Sequence, residues 1–192
     1  MARFDPARLR AARYDAVSVA LHWTTAALVA ALWLIGQTIG FFPRGDLRAA
    51  YLALHITLGV TLAVVLAARL AWRRWGGTEV PELSGKLLAE AARAGHIALY
   101  GLLLLAITLG VLTALGQGDS LFGLVTLPSF GLGGLAREFW SLHALAANVL
   151  LALAGLHALA ALGHHFVLRD ATLRRMLPAR IARALPLREV GR

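Results

Sequence analysis

The sequence contains no cysteine. That absence excludes disulfide bridges, thiolate-ligated iron–sulfur clusters and covalent attachment of a haem through C-x-x-C-H. Charge is also scarce. Asp, Glu, Lys and Arg make up 15% of the 192 residues, while 59% are hydrophobic. So apolar a chain is no ordinary soluble domain and points to a membrane protein, and its length makes one domain, spanning 1–192, the default. Acidic residues are the rarer sign, 10 against 19 basic, giving a net charge of +9. There is no internal repeat, strand pattern or low-complexity run. What remains is long apolar runs and seven histidines.

Four runs lack Asp, Glu, Lys and Arg: about 16–42, 49–68, 94–115 and 139–168. About 20 helical residues cross a hydrocarbon core, and at this length only a helix satisfies its own backbone hydrogen bonds in lipid. The expected fold is therefore all-α, an integral-membrane four-helix bundle. Run 1 has a basic front like a signal peptide, but it is long and lacks a convincing A-x-A site, so it reads as a permanent span. Its Gly36-Gln-Thr-Ile-Gly40 is a small-xxx-small pattern that permits close packing. The 3–4 connection, GQGDSLFGLVTLPSFGLGGLARE, is too apolar for a disordered linker and reads as an interfacial helix or a lid.

The basic residues set the orientation. Arg3, Arg8, Arg10 and Arg13 precede run 1. Arg69, Arg73, Arg74, Lys86 and Arg93 lie between runs 2 and 3, where Pro81 and Gly85 mark a loop. Arg169, Arg174, Arg175, Arg180, Arg183, Arg188 and Arg192 form the tail 169–192. Only Arg44, Arg48 and Arg137 fall on the other side. Both termini are expected in the cytoplasm. The positive charge is then a topology signal and a contact for anionic lipid, not a nucleic-acid surface.

Run 4, SLHALAANVLLALAGLHALAALGHHF, holds four histidines without one charged residue. A polar ring in hydrocarbon costs free energy unless it has a partner. His143 and His157 are 14 residues apart, about 40° short of four turns and roughly 21 Å along a helix axis. They share a face at two depths. His22 lies about two turns into helix 1 from the cytoplasm, the depth of His157. His55 lies about two turns into helix 2 from the periplasm, the depth of His143. Two facing His pairs suit two six-coordinate b-type haems set between helices. Gly59, on the same face as His55, would leave room for a porphyrin. Hydrogen-bonded structural histidines are the plainer alternative. Zinc would need three or four clustered ligands, which two distant pairs do not supply.

His164 points the same way as His157, about 10 Å nearer the cytoplasm, where it could hydrogen-bond a quinone carbonyl and relay a proton. His96 opens helix 3 at that level and could line the same pocket. An interfacial polar residue is the competing reading for both, and His165, pointing elsewhere, is read as interfacial.

These residues occur in a recognisable order. RYDAVSVALHW, GFFPRGDLR, LHITLG, GHIALYGLLLLAITLG, the run-4 sequence and LRDATLRRMLP together resemble the bacterial cytochrome b561 family over about residues 13–178. The resemblance implies axial ligands at His22, His55, His143 and His157, agreeing with the pairing by depth, and two haem b groups, one near each face. It implies a quinone site at the cytoplasmic end, where His164 matches. It also implies an activity, oxidation of periplasmic superoxide with electrons passed inward to ubiquinone. Arg44, Arg48 and Arg137 could then draw in the superoxide anion, or simply anchor lipid phosphates. Two other functions fit the same residues: a cytochrome subunit linking a partner dehydrogenase or hydrogenase to quinone, and a non-redox membrane scaffold.

Overall fold

A computed structural model of the chain describes residues 13–78, 80 and 85–184. Arg3, Arg8, Arg10, Pro81, Arg188 and Arg192 of the sequence reading lie outside these residues. Helix α1 (Ala16–Thr38) ends in a single 3₁₀ turn (Ile39–Phe41) and is followed by α2 (Asp46–Trp75) and α3 (Lys86–Gln117). A short hairpin, β1 (Ser120–Leu121) and β2 (Val125–Thr126), leads to α4 (Gly134–Phe166), then to the short helices α5 (Thr172–Arg175) and α6 (Ala179–Ala184). The four long helices are each long and apolar enough to cross a membrane.

The helices overrun the apolar stretches that mark them. α2 continues through Arg69, Arg73 and Arg74, and α3 starts at Lys86. These cations, expected in the loop, are helical. A charge ends an apolar run but not a helix, and basic side chains in the last turn of α2 suit the negative end of its dipole. α3 stops where Gly118 takes the left-handed conformation, φ +70°, and the amides of Gly118 and Asp119 both close on the Ala114 carbonyl.

The hairpin corrects the expectation of no strand, and it replaces the interfacial helix offered for the 3–4 connection. Its strands pair Ser120 with Thr126 and Leu121 with Val125. Between them Phe122 and Gly123 both have positive φ, +57° and +69°, and Leu124 N–H bonds the Leu121 carbonyl at 3.1 Å. Such a turn matches the twist of two short strands. Two residues per strand are too few for alternation to appear in a sequence.

Asp15 organises the start of α1. Its carboxylate caps the helix through Ser18 N–H (2.8 Å) and accepts the Ser18 hydroxyl (2.7 Å). It also accepts Trp72 Nε1–H at 2.9 Å from the end of α2 and Thr78 N–H at 3.1 Å beyond it. Burial alone would raise its pKa, but these hydrogen bonds, led by the Ser18 amide, hold the carboxyl well below the usual range. A depressed folded pKa contributes stability that is present above the unfolded value and is lost as pH falls. Asp15→Ala should therefore cost about 1–2 kcal/mol near neutrality. The gap to the parent should begin to narrow below roughly pH 4 and close only as the pH falls through the depressed folded value. Thermal midpoints of both proteins in detergent across pH check this, and a pH-independent gap would contradict it.

α1 packs closely along α2, and α3 along α4, with fewer contacts from α1 to α4 and from α2 to α3. The bundle is thus two tight pairs with a looser seam between them. A layer of Leu32, Leu62, Leu66, Leu103 and Leu150 closes the middle of that seam. Outward faces are apolar: Leu34, Val64, Leu104, Leu156 and Leu159 are all exposed. In water such a surface would be a liability, whereas in lipid it is the solvent-facing side. Helix hydroxyls spend their hydrogen on the preceding turn, as Thr25 does on the Leu21 carbonyl and Thr113 on that of Leu109.

The chain's basic segments meet at one end. Arg13 donates to the Leu177 carbonyl at 2.6 Å, and Trp23 Nε1–H to that of Met176 at 2.7 Å. The start of α1, the α2–α3 connection and the segment after α4 therefore share this basic end, while Arg44, Arg48 and Arg137 lie at the opposite one.

Candidate functional site

Two histidine pairs face each other across the seam. Towards the opposite end, His55 of α2 and His143 of α4 have ring centroids 6.0 Å apart. Towards the basic end, His22 of α1 and His157 of α4 are 6.3 Å apart. Two imidazoles bound to one metal from opposite sides, each with a metal–nitrogen bond of about 2 Å, bring their ring centroids to roughly 6 Å. Both pairs have that spacing. Among the described residues no three His, Cys, Asp or Glu side chains are grouped so as to hold a bare metal ion.

The His55–His143 pair, the outer one in the orientation expected from the cations, is built from close helix contact. His143 Nδ1 lies 2.8 Å from the Ala106 carbonyl, so it carries the proton and donates. Nε2 is then left with its lone pair for a metal. α3 comes so near that a Cβ at Gly110 would sit 3.1 Å from His143 Cε1 and 3.2 Å from Nδ1. Sequence reasoning missed both Ala106 and Gly110, because neither bears a chemical signature. A Cβ at Gly36 would meet His55 Cε1 less tightly, at 3.6 Å, and one at Gly40 would meet nothing within 4 Å, so only half of the small-xxx-small pattern is used. Gly59 borders open space, as room for a macrocycle beside His55 requires. His55 Nδ1 is buried without a hydrogen bond of standard geometry, although the Leu32 backbone is a polar neighbour. The hairpin lies against α2 at the level of this pair, with Phe122 N–H donating to Thr57 Oγ1 at 3.1 Å.

The inner pair has more polar company. Arg69 stands 3.0 Å from His22 Nδ1 and 5.3 Å over the Tyr100 ring. Arginine only donates, so His22 Nδ1 accepts in this arrangement and its proton sits on Nε2. Coordination through Nε2 needs the other tautomer and release of Arg69 from the ring. Space for that release exists. A cavity of about 470 Å³ is lined by Tyr14, Arg69, Trp72, Arg73, Arg93 and Tyr100 among others, with no carboxylate among the described lining residues. The Tyr100 hydroxyl is buried there without a hydrogen-bond partner. Cations and an orphaned donor beside a His pair suit the carboxylates of a haem. Both sites thus fit the group.

The remaining candidates separate. His96 lies well inside α3, which begins at Lys86, and its ring is 5.3 Å from that of His157. The expectation that His96 opens helix 3 is therefore corrected: it joins the inner pair. His164 instead bonds Asp170, a residue the sequence reading passed over. His165 stacks edge-on against Phe166 with Nδ1 buried and unpartnered. Arg44 and Arg137 are exposed and Arg48 is half-buried. Asp46, Asp119 and Glu138 share their end of the bundle, so any positive field there is local. Burial pushes the Asp119 carboxyl above its ordinary pKa.

The sequence profile of prokaryotic cytochrome b561 matches residues 13–179. The chain belongs to this family. It is accordingly a membrane b-type cytochrome of electron transfer, which sets aside the non-redox scaffold. Among relatives of this cytochrome, "Cytochrome b561 homolog 2" of Escherichia coli (strain K12) is 34% identical over 174 residues, covering 86% of this chain and 91% of the relative. "Probable superoxide oxidase CybB" of Yersinia pestis is 30% identical over 174 residues, covering 86% and 96%. "Cytochrome b561 homolog 1" of Escherichia coli is 29% identical over 178 residues, covering 88% and 98%.

Proposed function

We propose that this cytochrome takes electrons from superoxide at the periplasmic face of the bacterial inner membrane and delivers them to ubiquinone at the cytoplasmic face. The whole chain acts as one membrane unit with both termini in the cytoplasm. The observation that carries the reading is the two-level arrangement, a His pair towards each end of one seam with ring spacings of 6.0 and 6.3 Å. The name of the Yersinia pestis relative, a probable superoxide oxidase, supports superoxide as the donor. The gathering of basic segments at one end supports the orientation.

In this reading His55 and His143 hold the outer haem, and His22 and His157 hold the inner one. When bound, the two haems supply one-electron carriers at the two depths. The chain's own residues do the rest. Ala106 fixes the tautomer and orientation of His143. The leucine layer lies between the pairs, with Leu150 seven residues from both His143 and His157, and excludes water and protons from the middle. Arg69, on leaving His22 for the cavity, would meet the carboxylates of the inner haem there. At the inner face His164 donates a hydrogen bond to a quinone carbonyl. Superoxide loses its electron without an acid or nucleophile, so no catalytic triad is needed. Two superoxide anions give two oxygen molecules and two electrons, and the quinone takes these with two protons from the cytoplasmic side.

Arg44, Arg48 and Arg137 draw the anion in. Replacing all three by Gln should lower the second-order rate with superoxide several-fold and flatten its dependence on ionic strength. An unchanged rate and salt slope would leave them as lipid anchors.

The function itself is tested by rapid mixing of the oxidised, detergent-purified protein with superoxide, with and without ubiquinone, while haem absorbance is followed. Fast reduction, then reoxidation that requires quinone, is the expected result. Haems indifferent to superoxide would overturn it. One observation favours a second reading, a redox partner docked at the outer face: Leu124 and Phe130, in and after the hairpin, are 87% and 64% exposed. Copurification of a dehydrogenase or hydrogenase, together with haems that ignore superoxide, would support that alternative.

A further inference from the structure

We infer that Asp170 is the positioning residue for His164, forming with it a proton-delivery dyad at the inner face. The inference rests on the quinone reading above and adds the group that makes His164 competent. His164 Nδ1 and Asp170 Oδ2 are 2.6 Å apart. The other carboxylate oxygen, Oδ1, accepts Thr172 N–H at 2.8 Å, so the carboxylate is held from both sides. The turn is closed further by Asp170 N–H on the His164 carbonyl at 3.0 Å, and the Thr172 hydroxyl stands 3.4 Å from Nδ1. The chain leaves α4 and folds back so that the acid six residues later meets the ring.

The consequences are chemical. A carboxylate on Nδ1 fixes the proton there, sets the ring plane and aims Nε2 away from the turn. Burial would raise the pKa of Asp170, but hydrogen bonds from Thr172 and His164 hold it below the ordinary carboxylate value, so it stays ionised beside the ring. The His164 side chain is 18% exposed and that of Asp170 22%, sheltered yet reachable by a headgroup at the membrane surface.

As a quinone carbonyl gains electron density, doubly protonated His164 passes its Nε2 proton to the carbonyl oxygen. It becomes the neutral Nδ1–H form, still bonded to Asp170, and water at the cytoplasmic face returns the proton. Two such transfers accompany the two electrons supplied by two superoxide anions, giving quinol. Asp170 exchanges no atom with the quinone. It offsets the charge of the protonated ring and holds its direction.

The test uses the full-length, haem-loaded protein in detergent, chemically reduced and mixed with a short-chain ubiquinone over a range of concentrations. Asp170→Asn should keep both haem spectra and a half-saturating quinone concentration within about threefold of the parent. Its maximal reoxidation rate should fall at least about tenfold, and Asp170→Glu should recover most of that loss. An Asp170→Asn rate equal to the parent's, with His164→Ala slow, would overturn the dyad and leave the quinone site standing. Normal rates in His164→Ala as well would overturn the quinone site itself. If Asp170→Asn loses its haems, nitrogen-15 spectra of histidine-labelled parent protein decide the matter. A strongly hydrogen-bonded Nδ1–H signal that vanishes in His164→Gln supports the dyad, and its absence from the parent contradicts it.

Discussion

Replacing His143 by Ala should remove one haem of two, leaving a protein whose remaining haem is the inner one. His157→Ala should do the reverse. Each variant should lose half of its Soret absorbance per chain, because six-coordinate attachment fails when one axial imidazole is gone. The inner site has one complication, since His96 also faces His157. Its ring centroid is 5.3 Å away, shorter than the roughly 6 Å that two imidazoles on opposite sides of one metal adopt, whereas His22 stands at 6.3 Å. His22→Ala should therefore lose the inner haem and His96→Ala should keep both. The reverse result would reassign the ligand, and variants that all retained two haems would remove the pairing altogether. Haem content by pyridine haemochrome, with the reduced spectrum of each variant, reads every outcome.

Gly110→Leu should empty the outer site without touching any ligand. α3 approaches α4 so closely at Gly110 that even a methyl group would stand 3.1 Å from His143 Cε1, and the ring would have to give by a few tenths of an ångström. Gly110→Ala should thus be tolerated with a small shift in the outer haem spectrum. An isobutyl group has no such escape. It would drive the imidazole off the Ala106 carbonyl, which holds the ring by a 2.8 Å hydrogen bond, and cost of order 1–3 kcal/mol in overpacking. One haem per chain, with the inner spectrum intact, is the expected result. Two normal haems in Gly110→Leu would mean that the helices separate freely at this level and that the close approach is not needed.

The spans and the depths of the four paired histidines were legible because they depend only on run length, rise per residue and the placement of cations. Hydrophobicity marks where lipid is, not where a helix stops, so the ends of α2 and α3 were not legible. Residues that act through their backbone or their smallness were hidden for another reason. Ala106 supplies a carbonyl and Gly110 supplies an absence, and neither differs in sequence from the ordinary small residues of a membrane helix. The roles of Asp15 and Asp170 were hidden too, since their partners, Trp72 and Thr78 for one and His164 for the other, become neighbours only when the chain turns back. Asn148 was overlooked for a similar reason. Trp33 Nε1–H and the Gln37 amide converge on its Oδ1 at 2.8 and 3.3 Å and tie α1 to α4 between the two His levels. His96 was placed by its nearness to the start of an apolar run, and ten further helical residues before it changed its company.

Two facing His pairs in one chain should hold two haems. The most direct measurement is the haem-to-chain ratio of the purified full-length protein, taken with its low-temperature electron paramagnetic resonance spectrum. Two haems per chain, giving two distinct low-spin signals of bis-imidazole ligation, is the expected result. One haem per chain, or a high-spin five-coordinate signal from either site, would contradict it.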